Sequence, residues 1–108
     1  MDSQPDIKFI EVFAPYAPSG GVLASTGCSF AVNGRVVAVE VHSSAQLTRN
    51  GQMKPDQIEA AARAFLELEG EHLGWDHVPD RVIINDAAMD TVVDRLGWPP
   101  RFGARPPK

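Results

Sequence analysis

A single cysteine, Cys28, among 108 residues rules out an internal disulfide and leaves the fold to rest on its core. No apolar run reaches the roughly eighteen residues of a membrane-spanning helix, so no membrane partner is expected. The first residues, Met1 to Asp6, are polar and acidic, unlike the basic start of a signal peptide, and together with the lone thiol they point to the cytoplasm. The motifs that carry common chemistries are missing. Gly20-Gly21 lacks the spacing of GxGxxG, and no GxxxxGK[ST], GxSxG, HExxH or CxxC occurs. No cofactor is therefore expected.

Positive charge is scarce where it would matter for nucleic acid. Residues 56 to 94 hold ten acids against Arg63 and Arg81, a local charge of −8 in a chain of net charge −4. Such a surface repels phosphate backbones, which makes nucleic acid an unfavourable partner. Residues 95 to 108 carry +4, and the last eight, Arg101 to Lys108, read as a basic disordered tail behind one domain over 1–100.

What is present is β-hairpin chemistry. Asn33-Gly34 sits between two runs of β-formers, the strongest short-range hairpin signal. A two-residue turn there sets Val32 opposite Arg35, Phe30 opposite Val37, Cys28 opposite Val39 and Thr26 opposite Val41. These side chains share one large apolar face, the expected core side. The other face carries Gly27, Ser29, Ala31, Val36, Ala38, Glu40 and His42, small and mixed. Ahead of the hairpin strands, 22–32 and 35–42, Ile7 to Phe13 reads as another strand, followed by a Pro/Gly loop over 14–21.

The clearest helix runs from about Pro55 to Gly70, with Gly70 and Gly74 ending it or fraying its last turn. Asp56 and Glu59 resemble a capping box, and Ile58, Ala61, Ala62, Phe65 and Leu68 form the buried stripe. Glu59, Arg63 and Glu67 fall opposite, where Arg63 is spaced to pair with both acids. Arg81 to Ile84 is a short β-rich run. Asp86 is placed to cap a last helix, 87–96, which Gly97 ends. The expected architecture is α+β: an antiparallel three- to four-stranded sheet with two helices packed on one face, in the order β-β-β-α-β-α.

Two functional readings follow. The first is a non-catalytic interaction or regulatory domain that self-associates or docks on another protein. Its surface would be Ser29, Ala31, Val36, Ala38 and Glu40, with Trp75 or Trp98 at the rim, because tryptophan is enriched at binding hot spots. The second is a small metal-assisted or acid/base enzyme using His72, Asp76 and His77, with Glu40 or His42 contributing. The five-residue spacing of His72 and His77 matches no metal motif, and an exposed helix end, where the dipole favours histidine, is the preferred explanation of them. Cys28 is expected to be an inert core thiol, and Ser43-Ser44 an ordinary loop pair without a base.

Overall fold

The structure, a computed structural model, describes residues 5–13 and 26–102. The loop expected over 14–21, the start of the second strand at Val22 and tail residues 103–108 lie outside these.

Asn33 (φ 51°) and Gly34 (φ 85°) both take left-handed backbone, as a tight hairpin turn requires. The turn joins β2 (Thr26–Val32) to β3 (Arg35–Val41) in the expected register. Thr26, Cys28, Phe30, Val32, Val37, Val39 and Val41 are accordingly buried. β1 (Ile7–Phe13) pairs antiparallel with β2 on its other side. Its start is tied to the turn: Asn33 N–H donates to the Asp6 carbonyl at 2.9 Å, and Asp6 N–H to Asn33 Oδ1 at 2.9 Å. The register slips between Phe9 and Glu11, a bulge that blunts this edge strand.

The fourth strand, β6 (Arg81–Ile84), lies beside β3 and completes the order β1-β2-β3-β6. The sheet is mostly antiparallel, but β3 and β6 run parallel. The reason is the connection, since the chain returns to the sheet through the long helix α1 (Pro55–Leu73), and such a crossover restarts at the same end. A second small ladder, β4 (Leu47–Thr48) with β5 (Gly51–Gln52), forms around Asn50-Gly51, and Gly51 has φ 106°.

α1 and α2 (Asp86–Leu96) cover one face of the sheet in a single core containing Phe30, Leu66, Ile84, Met89 and Val92. Three local details differ from expectation. At the start of α1, Lys54 N–H donates to Gln57 Oε1 at 2.8 Å, so the capping contact sits two residues earlier than Asp56 and Glu59. Arg63 makes no ion pair with Glu59 or Glu67; its guanidinium lies 5.3 Å from the centre of the Phe30 ring. α2 is capped by Asn85, whose Oδ1 accepts Ala88 N–H at 2.8 Å, rather than by Asp86. Gly97, at φ 74°, ends that helix as expected.

Among the described residues, no helix is long and apolar enough to cross a membrane.

Candidate functional site

The strand register places Lys8, Glu11 and Phe13 of β1, Gly27, Ser29 and Ala31 of β2, Val36, Ala38 and Glu40 of β3, and Arg81 and Ile83 of β6 on the face away from the helices. Five of the residues expected to bind a partner, Ser29, Ala31, Val36, Ala38 and Glu40, are thus neighbours on one surface. Val36 is 58% exposed and Ile83 50%, both high for large apolar side chains in a sheet. Glu40 and Arg81 form a two-pronged ion pair through Arg81 Nε to Oε2 and Nη2 to Oε1, the latter at 3.0 Å. Gly27 belongs to this face for a steric reason: a Cβ there would overlap the Phe13 ring and the Val39 carbonyl, so glycine lets the ring lie across the hairpin.

The tryptophans are elsewhere. Trp75 folds back onto Gly70 so closely that any Cβ at that position would enter the indole. Trp98 packs at the opposite end of the core, beside Met53 and the first turn of α1. Both are half-buried within the helical layer, so neither forms a rim to the open sheet face.

His72, in the last turn of α1, and Asp76 and His77, in the 3₁₀ turn Trp75–His77, are all exposed. Arg35 Nη1 donates to Asp80 Oδ1 at 2.7 Å, and Arg35 Nη2 to the Trp75 carbonyl at 3.4 Å, which moors this loop at the start of β3. His42 follows the end of β3, seven residues on, roughly 23 Å away at strand rise. The three histidines therefore do not share a site. Among the described residues, no group of three or more His, Cys, Asp or Glu side chains is arranged to hold a metal ion. Cys28 is fully buried, and burial, with Glu59 adding repulsion, pushes its thiol up to about 12. A thiol held neutral in this way is a poor nucleophile.

Parallel pairing of β3 and β6 builds a polar cluster that sequence reasoning missed. Ser44 Oγ lies 3.0 Å from both carboxylate oxygens of Asp86 and 3.0 Å from His42 Nδ1. A hydroxyl has one proton. With it on the carboxylate, Oγ accepts from His42 Nδ1–H; with it on the ring, bare lone pairs would face the carboxylate at the same distance. The first arrangement is favoured, and in it His42 is a donor to Ser44 rather than its base.

Arg101 anchors the same region. Assigned by the sequence to a disordered tail, it is instead 5% exposed. Its Nη1 donates to the carbonyls of Ser44, Ala45 and Leu47 at 3.2, 3.3 and 3.1 Å, and its Nε to Asp90 Oδ1 at 3.1 Å. Nη2 lies 3.6 Å from Asp86 Oδ1. Beside this clamp a cleft opens between the β4–β5 hairpin, the start of α1 and the segment Trp98 to Arg101.

Comparison of the chain with protein families, curated proteins and solved structures finds no match to any of them.

Proposed function

We propose that this chain is a non-catalytic interaction domain that associates with a second copy of itself through the open face of its sheet. The observation that carries the reading is one-sided packing: both helices cover one face and leave Val36 and Ile83 half or more exposed on the other. Charge favours a copy of the same chain as the occupant. The open face holds Lys8, Glu11, Glu40 and Arg81, which sum to zero, whereas the rest of the segment from 56 to 94, Arg81 aside, carries −9 and repels its like. Glu40 and Arg81 already neutralise each other, so the pair can be covered without stranding a charge.

Size sets the strength. Four strands at ~4.8 Å spacing and ~3.3 Å per residue give a face of roughly 400 Å². A standard stable interface takes about 800 Å² per partner. The association accordingly belongs to the weak, transient class. The same reading places the domain in the cytoplasm, where Cys28 stays reduced, with a protein rather than a nucleic acid as partner.

Sedimentation equilibrium from micromolar to millimolar protein tests this. A reversible dimer that V36D and I83D each abolish is the expected result. A monomer throughout, or a dimer indifferent to both substitutions, overturns the reading. Docking on a different protein through this face would show as a monomer that binds such a partner.

A further inference from the structure

We infer that the cleft between the β4–β5 hairpin, the start of α1 and the Trp98–Arg101 segment binds a small organic anion with a flat apolar body. Its volume, about 920 Å³, falls within the ~300–1,000 Å³ typical of small-molecule sites. The inference does not depend on the sheet-face reading, since the cleft lies in the other layer.

Hydrogen bonds join the walls of the cleft to one another. Arg49 N–H donates to the Arg101 carbonyl at 2.7 Å, tying the hairpin to the C-terminal segment. Met53 N–H donates to the Gln46 carbonyl at 2.8 Å, and the Arg101 guanidinium locks that segment onto the carbonyls of Ser44, Ala45 and Leu47. A ligand therefore meets a surface that needs little ordering, which conserves binding energy.

The lining decides what fits. Met53, 8% exposed, and the half-buried Trp98 indole supply an apolar wall with one planar ring, suited to stacking. Three cationic side chains border the cleft, but they are not equivalent. The charge of Arg101 is committed to Asp86 and Asp90. Arg49 and Lys54 are exposed and make no ion pair with any described residue. Asp56 is the carboxylate in the lining, and its Oδ1 accepts Gln57 N–H at 3.0 Å. Two uncommitted cations against one acid leave the cleft locally positive on a chain of net charge −4. A carboxylate or phosphate would lie against Arg49 and Lys54, with its apolar body on Trp98.

The test is a titration of the full chain with benzoate and with phenyl phosphate. Benzamide and inorganic phosphate are the controls, and the readouts are the Trp98 indole N–H resonance and tryptophan emission in W75F. Saturable binding of an aryl anion is expected, with benzamide weaker by about tenfold and R49Q/K54Q, folded by circular dichroism, weaker by a similar factor. Which aryl anion binds tighter distinguishes a carboxylate from a phosphate ligand. No saturable shift, equal binding of benzamide, inorganic phosphate as good as phenyl phosphate, or indifference to R49Q/K54Q overturns the inference.

Discussion

Replacing Arg101 by methionine keeps most of the side-chain stem and removes every donor of the guanidinium. Three carbonyls, on Ser44, Ala45 and Leu47, then lose their side-chain donor, and the carboxylates of Asp86 and Asp90 lose their cation. Asp86 and Asp90 are themselves half exposed, so water recovers part of their solvation, while the Arg101 side chain is only 3% exposed. Breaking a buried charged network by deleting one partner costs about 3–5 kcal/mol. Solvation of the acids places this case at the lower end, about 3 kcal/mol. A chain of this length has about 5–15 kcal/mol in total, so the loss is a large share. Urea unfolding followed by circular dichroism measures it. R101K, which keeps the charge but not the planar fork, should fall between wild type and R101M. A floppy tail predicts something different, a change within about 0.5 kcal/mol for both variants. That outcome would refute the clamp and, with it, the fixed wall of the cleft.

Two further substitutions probe the core. G70A gains about 0.5–1 kcal/mol of helix propensity but drives a methyl into the Trp75 indole; net destabilisation of about 1–3 kcal/mol and red-shifted tryptophan emission are expected, and a stabilised variant would show that the indole is elsewhere. For Cys28, folding raises the thiol from its ordinary 9.0 to about 12. Above pH 9 the unfolded chain releases this proton while the folded one keeps it, so the thiol's contribution is full below that pH. It falls by up to about 1.4 kcal/mol per pH unit until about 12. C28A should remove that alkaline slope relative to wild type, and the native thiol should resist Ellman's reagent until the chain unfolds; rapid labelling at neutral pH would contradict its burial.

The hairpin was legible because its information is local. Asn33-Gly34 specifies a turn, the turn specifies a register, and a period of two sorts Phe30, Val37 and Val39 from Ala31, Val36 and Ala38. The stop of α2 at Gly97 is local in the same sense. Gly70 carries the opposite lesson. Read with Gly74 as ending or fraying the helix, it lies inside α1, which continues to Leu73 and stops at Gly74, because the missing side chain of Gly70 makes room for a ring five residues further on. A glycine chosen for packing and one chosen for backbone freedom look alike in sequence, and only the tertiary neighbour separates them. Arg63 is similar: its spacing fits two glutamates, yet the face of Phe30 competes for it, and helical periodicity contains no record of a ring on another element.

Direction of the last strand is where the larger consequence lies. An antiparallel β6 would have started beside His42 and carried Asn85 and Asp86 to the far end of β3. The parallel β6 does the reverse, placing Ile84 beside Val41 and Asp86 within reach of Ser44. The strand–helix–strand order between β3 and β6 is itself a signature of parallel pairing, because a long helix consumes the length needed to return to the starting end. Once Asp86 stands beside Ser44, one face of α2's first turns presents Asp86 and Asp90 to the loop after β3, and a cation is needed to hold the three together. Arg101 fills that place. Its role therefore follows from strand direction, which composition cannot report, since a basic C-terminal segment rich in proline has the same appearance whether its first arginine is solvated or locked against five oxygens.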